Sequence, residues 1–274
     1  MSIIDESLAI GEKETTLAMR FKFAFFADSM ISPLMRIMPF LLVYWGFFLL
    51  GQGTAAIGNE VTSQNFVVFL VLGMLADVFF FSGWSTFLQK FTAEKYWQTV
   101  DATLLAPINR LSLIFGVGLA EAISLFPSTL MFLALCFFLM PISFVNLALV
   151  LFALLLLFTV SLSIGLIVGC AGLFNENFVP LFGYMRIVVV FFSCFYYPLE
   201  VLRVPQFGAI GGILPTIAYF NPIYQGVNVI RSIWLHGIVP FEPLMYLLFF
   251  AVVAPLAAVY LFRRLFRVMS VQGY

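Results

Sequence analysis

Histidine occurs once in the 274 residues, at His236, cysteine three times, and charged side chains make up only 9% of the chain. Each scarcity excludes something. A lone histidine, with no His-x-x-His, no Asp-x-x-Asp and no cysteine pair, leaves neither metal-ligand spacing nor an imidazole-based catalytic constellation. Cys136, Cys170 and Cys194 lie far apart inside apolar stretches; they read as buried small hydrophobes and not as a disulfide framework. No glycine-rich loop ends in Lys-Ser or Lys-Thr, so the chain has no P-loop to cradle nucleotide phosphates, and any ATP must be handled by another polypeptide. An ordinary soluble domain has about 25% charged residues. With 9% charged, 63% hydrophobic and a mean hydropathy of +1.10, this chain lacks the polar surface to coat a water-soluble globule. A net charge of zero gives no reason to expect a nucleic-acid partner.

What is present is a series of long apolar runs with the few charges between them. A span needs about 20 mainly apolar residues, because lipid offers the backbone no hydrogen-bond partner and the helix must satisfy its own. Six stretches meet that test: Leu34–Leu50, Phe66–Trp84, Leu111–Met140, Phe144–Leu173, Phe178–Tyr197 and Pro243–Phe262. The expected fold class is therefore an all-α integral membrane protein of six spans, a single domain over 1–274 with no internal repeat. Short loops rich in Lys and Arg stay cytoplasmic. With both termini inside, Lys13, Arg20, Lys22, Lys90, Lys95, Arg110, Arg263, Arg264 and Arg267 lie inside and only Arg203 and Arg231 outside. Arg36 and Arg186 fall near span ends and carry no vote. The expected location is the cytoplasmic membrane, multi-pass, with both termini cytoplasmic. The acidic start, Met1 to Arg20, is unlike a cleavable signal, so the mature chain is expected to begin near Met1.

Three segments outside the spans carry further expectations. Within 1–33, Thr15–Asp28 (TTLAMRFKFAFFAD) suits a helix lying in the cytoplasmic interface, broken by Ser32-Pro33 before the first span. The region 198–242 holds an apolar but short run, Phe207–Phe220, interrupted by Gly211, Gly212 and Pro215; it suits a re-entrant helical hairpin capping a pathway. The loop 85–110 mixes Glu94, Lys95, Gln98, Asp101 and Arg110 with Phe91, Tyr96 and Trp97, a composition able to dock aromatic anchors into a partner while charges fix the register.

The pattern EKYWQTVDATLLAPINR at Glu94 to Arg110 resembles the coupling-helix region of the ABC type-2 permeases. That family exports nodulation factors, daunorubicin-like drugs, O-antigen polysaccharide and teichoic acid. A second likeness, FSCFYYPLEVL at Phe192–Leu202 followed by Phe220-Asn221-Pro222 and Arg231, is similar to the family's signature after the fifth span. Two positions depart from the pattern: Arg203 stands where proline is frequent, and Gln98 where glycine is. The resemblance implies a pair of permease copies, each resting its coupling helix on a separate cytoplasmic ATPase. ATP and Mg would be bound by that partner, and no cofactor by this chain. Glu94, Tyr96, Trp97, Asp101 and Arg110 would make the coupling contact. The substrate implied is amphipathic, a lipid-linked glycan or a hydrophobic drug, with the PLEVL form leaning toward the drug and nodulation-factor branch. The membrane lipid is the remaining partner.

Residues for a path or gate follow from polarity in lipid, where a charged side chain costs about 2.5 to 3.5 kcal/mol on insertion scales. Glu121, beside Gly116 and Gly118, is one such residue; Asp77 is another, with nothing in its own span to pair with. Glu200 suits a cap on a re-entrant helix, and Arg231 a partner for Glu200 or for an anionic headgroup. Tyr196, Tyr197, Tyr219 and Tyr224 are expected at the outer interface; of these Tyr196 and Tyr197, with Asn221, join Glu121, Glu200 and Arg231 as the candidate path. Two other classes stay open from sequence: a multi-pass lipid-modifying enzyme, which would need clustered acids or histidines on one membrane face, and a passive channel.

Overall fold

The computed structural model describes residues 3–49, 61–62, 64–97, 109–175, 177–203 and 210–272, and within them every regular element is helical. The principal helices are α1 (Ile3–Ala18), α2 (Ser32–Leu49), α3 (Phe66–Tyr96), α4 (Arg110–Ser124), α5 (Phe126–Leu139), α6 (Phe144–Phe174), α7 (Phe178–Phe192), α8 (Ile210–Tyr219), α9 (Pro222–Arg231) and α10 (Phe241–Gln272). Four stretches, Ile3–Gly46, Phe66–Tyr96, Phe144–Leu173 and Phe241–Arg264, are long and apolar enough to cross a membrane. The bent pair α4 and α5 makes a fifth if it is one span, and α7 is a shorter apolar helix. These lengths mark the chain as a membrane protein.

The centre is the parallel pair α3 and α6. In lipid, tails are as apolar as leucine, so helices associate where small residues let backbones touch and dispersion contacts multiply. Ser161, Gly165 and Gly169 recur every fourth residue and so form one stripe on α6. An ideal Cβ built on Gly169 would lie 2.8 Å from the Phe87 carbonyl carbon, and one on Gly83 2.7 Å from the Leu162 nitrogen. Neither glycine leaves space for even a methyl group. Buried aromatic and aliphatic side chains, among them Phe69, Phe80, Leu154 and Leu157, fill the interior around this crossing.

Four sequence expectations are corrected. Ser32-Pro33 does not break the helix: a π-turn at Ala27–Ile31 runs into α2 with helical dihedrals at Ser32, and this wider turn carries the chain through without the N–H that Pro33 lacks. The break sits at Met19–Phe21, where Phe21 leaves helical geometry at φ −110° and ψ 76°. The third span is bent by 41° at Leu125, between α4 and α5, with Pro127 in the first turn of α5. The fifth ends as a helix at Phe192, five residues before Tyr197, because Cys194 takes a positive φ of 51° that an α-helix cannot contain. Residues 85–96 are not loop but the last third of α3.

Between α7 and α10 the chain forms a 3-10 turn (Leu199–Arg203), α8, and α9, which is buried along most of its length. Asn221 accepts a hydrogen bond from the Ile223 N–H at 3.0 Å and caps α9, with Pro222 at its first position, where a missing N–H costs nothing.

One end of the bundle gathers several elements. Lys90 Nζ of α3 lies 2.6 Å from Glu14 of α1, Phe91 stacks on Phe262 of α10 at 6.4 Å, and Lys95 Nζ donates to the Leu173 carbonyl at the end of α6. The N-terminal helix and the C-terminal half of α10 therefore meet the same end of α3. Instead of trailing in solvent, α1 packs on α4: an ideal Cβ at Gly116 would meet Ile10 at 2.7 Å, and Glu6 accepts from Ser112 Oγ at 2.9 Å and from the Asn109 N–H at 3.1 Å.

Candidate functional site

At that gathered end, α3 terminates in Tyr96 and Trp97, which are 84% and 69% exposed. Two open aromatic rings beside charged side chains are a composition that suits contact with a partner. Next to them lies an open cavity of about 340 Å³ between the ends of α3 and α6 and the start of α7, lined by Phe91, Thr92, Lys95, Tyr96, Gly172, Leu173, Val179 and Pro180. Glu94 belongs to the same end. Its carboxylate lies 3.4 Å from Lys90, so Glu14, Lys90 and Glu94 form one ionic chain from α1 to the tip of α3. Arg110 is exposed at the first position of α4. Asp101 lies outside the described residues, as does most of the segment between Trp97 and Asn109.

A second set of polar groups is inside the spans. Asp77 Oδ2, buried on α3, accepts a hydrogen bond from the Tyr196 hydroxyl at 2.7 Å and lies 3.4 Å from Arg36 Nη1 of α2. Tyr196 stacks on Phe40 with ring centroids 4.2 Å apart, and its carbonyl accepts from the Tyr44 hydroxyl at 2.9 Å. The carboxylate without a partner in its own span thus finds one on α2 and another beyond α7. Arg186 of α7 approaches the same place, its guanidinium 4.6 Å from the centre of the Phe81 ring, with Arg36 5.5 Å from that centre. Tyr196 is thereby a member of a charged cluster and not of an interfacial belt.

Glu121 is held by α3, where it accepts a hydrogen bond from the Ser82 hydroxyl, while the Thr86 hydroxyl one turn on donates to the Ser82 carbonyl at 2.6 Å. Hydroxyls are suited to this because they can donate from either rotamer at small volume. Tyr197 donates to the Phe191 carbonyl at the end of α7.

Arg231 is corrected most. Instead of facing an outer surface or Glu200, it is buried at the end of α9, donating from Nη1 to the Cys194 carbonyl at 2.9 Å and from Nη2 to the Phe195 carbonyl. Its guanidinium carbon lies 3.6 Å from the centre of the Phe69 ring. The left-handed turn at Cys194 frees carbonyls that no helix can use, and Arg231 satisfies them, with Gly73 of α3 leaving the room. Asn221 joins the same device by donating from Nδ2 to Ser193 Oγ at 2.9 Å. Both are framework residues. Glu200 sits in the 3-10 turn, and its Oε2 is buried with no hydrogen-bond partner among the described residues.

The structure therefore brings together Glu94 and Tyr96 at one end, places Trp97 beside them, joins Tyr196 to Asp77 within the bundle and gathers Tyr197, Asn221 and Arg231 on the 191–195 turn, while among the described residues Glu121 and Glu200 have no hydrogen bond to any of these. Arg36 and Arg186 were missed as site residues. Their signal was available: both stand inside or at the edge of otherwise uncharged runs. No family model matches the chain, and a search of curated proteins finds no match.

Proposed function

We propose that the chain is the membrane-spanning subunit of an ATP-driven exporter that moves an amphipathic substrate, a lipid-linked glycan or a hydrophobic drug, across the cytoplasmic membrane. The reading rests on the likeness of Glu94–Arg110 and Phe192–Leu202 to the ABC type-2 permeases. The observation that carries it is the exposed pair Tyr96 and Trp97 at the tip of α3, beside an open cavity and an ionic chain. Such a tip supplies aromatic anchors for a soluble partner, with Lys95, Glu94 and Arg110 to set its register. That the two ends of the chain meet this same tip agrees with an even number of crossings, and six spans with termini in the cytoplasm follow if the short α7 and the bent α4–α5 pair each cross once. In this arrangement α1 is the interfacial element, α8 and α9 the re-entrant hairpin, and a second copy completes the pathway. ATP and Mg belong to a separate ATPase, whose closure would rock the two membrane halves between states.

The test is a mild-detergent pull-down of the tagged chain from its native host, with ATPase activity assayed on the eluate. A P-loop subunit that co-purifies, and is lost when Tyr96 and Trp97 are both replaced by Ala, supports the reading and the docking tip together. A chain that purifies alone and without ATPase activity overturns it, and returns the enzyme and channel classes to consideration.

A further inference from the structure

The charged cluster inside the bundle does not balance. Arg36 and Arg186 contribute two permanent positive charges and Asp77 one negative, and the single carboxylate is already engaged by Arg36 and by the Tyr196 hydroxyl. Arg186 forms no hydrogen bond or ion pair among the described residues; it rests on the Phe81 ring. An arginine in an apolar span is costly, and as a rule it faces a partner or a cavity that the protein uses. Here the second cation is held in place by a ring face, which attracts charge and offers guanidinium no acceptor oxygen.

The geometry of the two cations suits one ligand class. Both guanidiniums approach the same ring, at 5.5 and 4.6 Å from its centre, so they stand within about 10 Å of each other. A phosphate that reaches both at the edge of the ring would take charge-assisted N–H···O bonds of about 2.8 Å from each, a fork contact for which arginine's planar donors are suited. The surroundings restrict the ligand further. The Arg36 side chain is 41% exposed, and it opens between two helices whose neighbouring side chains, Met35, Met38 and Ile187, are exposed and apolar. A ligand reaching this place has its head between arginines and its body among side chains that face acyl chains.

We infer that Arg36, Arg186 and Phe81 form a lateral binding site for the phosphate head of an amphiphile, with Asp77 as an internal counter-ion that the ligand's charge displaces from Arg36. Phe81 stands fifteen residues before the end of α3 at Tyr96, about 22 Å at 1.5 Å per residue, and Arg186 eight residues from the start of α7, about 12 Å, so the site lies among the apolar runs and away from the gathered tip. This deepens the transport reading and rests on it only for calling the amphiphile cargo.

The measurement is an equilibrium titration of the purified full chain in a neutral maltoside detergent with dodecyl phosphate, alongside inorganic phosphate and phosphatidylglycerol nanodiscs as competitors. Saturable binding is expected, weakened at least tenfold in Arg186→Gln and in Arg36→Gln, and strengthened several-fold in Asp77→Asn, since removing the internal carboxylate frees Arg36. A merely structural cluster would not tighten on losing its acid. Arg186 gives up only its stacking on the Phe81 ring, with no hydrogen bond or ion pair among the described residues, so its variant is the milder one and keeps the test decisive should Arg36→Gln misfold. Unchanged affinity in Arg186→Gln, or no saturable binding, overturns the site. Inorganic phosphate competing as well as dodecyl phosphate overturns the amphiphile assignment in favour of a free anion. Equal competition by phosphatidylglycerol upholds the site and assigns it to a resident lipid. No ATPase is needed, so a failed titration leaves the coupling proposal standing, and a failed pull-down leaves the site standing.

Discussion

Replacing Gly83 by Ala tests whether backbone contact between α3 and α6 holds the bundle together. The new Cβ would lie 2.7 Å from the Leu162 nitrogen and 2.7 Å from Ser161 Cβ, whereas ordinary van der Waals contact begins at 3.4 Å, so the helices must part by about 0.7 Å. Neither obstacle is the tip of a flexible chain that can swing aside. A gap of that size along the flanking contacts forfeits about a quarter to a half of each dispersion well, and overpacking of a tight interior costs about 1 to 3 kcal/mol. Alanine's better helix propensity returns at most about 1 kcal/mol. The expected net loss is about 2 kcal/mol, read as a lower SDS mole fraction at the unfolding midpoint in mixed micelles. Gly183→Ala on α7 is the control, since its Cβ would meet nothing within 4 Å; it should be neutral or slightly stabilising. Equal midpoints for the two variants would refute the claim that the α3–α6 contact is tight.

Arg231→Met should lower stability by about 3 kcal/mol or more in the same assay, because the carbonyls of Cys194 and Phe195 lose their donor inside the protein. Glu121→Gln should insert and fold like the parent, since an amide oxygen still accepts from Ser82, whereas Glu121→Leu strands the buried Ser82 hydroxyl and should lose about 1 to 3 kcal/mol. Glu94→Ala should leave membrane insertion intact and uncouple ATPase activity from transport; normal coupling in that variant would remove Glu94 from the docking tip. The Tyr219 hydroxyl donates to Glu242 at 2.6 Å, and this contact raises its pKa above the ordinary value near 10. Because the folded-state pKa is the higher one, the contact is fully present below pH 10 and is lost as pH rises through the raised value. Ultraviolet titration of phenolate should show one fewer late-titrating tyrosine in Tyr219→Phe than in the parent.

Helical class, long apolar runs and the polar character of the tip were legible in composition and periodicity, because lipid imposes one rule on every backbone group. The breaks were less so. Pro33 and Pro127 look alike in sequence, yet helix runs through the first, entered by a π-turn at Ala27–Ile31, and the other stands at a 41° bend, since a proline's effect depends on how the turn before it places the carbonyl that it cannot bond. Nothing local announces the left-handed Cys194; it persists because Arg231, 37 residues onward, supplies donors to the freed carbonyls. The same distance hid the partners of Asp77, on α2 and beyond α7. The Ser161, Gly165 and Gly169 stripe was readable from spacing alone, as was the presence of Arg36 and Arg186 in apolar runs.

The division between stiff and loosely held parts bears on how the charged cluster could work. Asp77 and Phe81 sit on α3, whose backbone is locked against α6 by glycines with no room for a methyl. Arg186 sits on α7, which has no buried residue at all, and Arg36 on α2, whose outer side chains Leu42, Val43 and Trp45 are exposed. The acid and the ring are therefore fixed to the rigid pair, whereas Arg186 rides on a helix with no buried residue and Arg36 on one that enters the core by one face, through Ile37 and Tyr44. Since α7 is tied to α3 at one end by Tyr196 on Asp77 and at its middle by Arg186 on Phe81, α7 cannot tilt away from α3 without breaking one of these contacts. An anion between the arginines would add a bond across α2 and α7 that the empty cluster does not have, and would favour whichever arrangement keeps both cations over the ring. A ligand shifts an equilibrium only by its differential affinity for the two states, and this cluster is a place where that difference would arise.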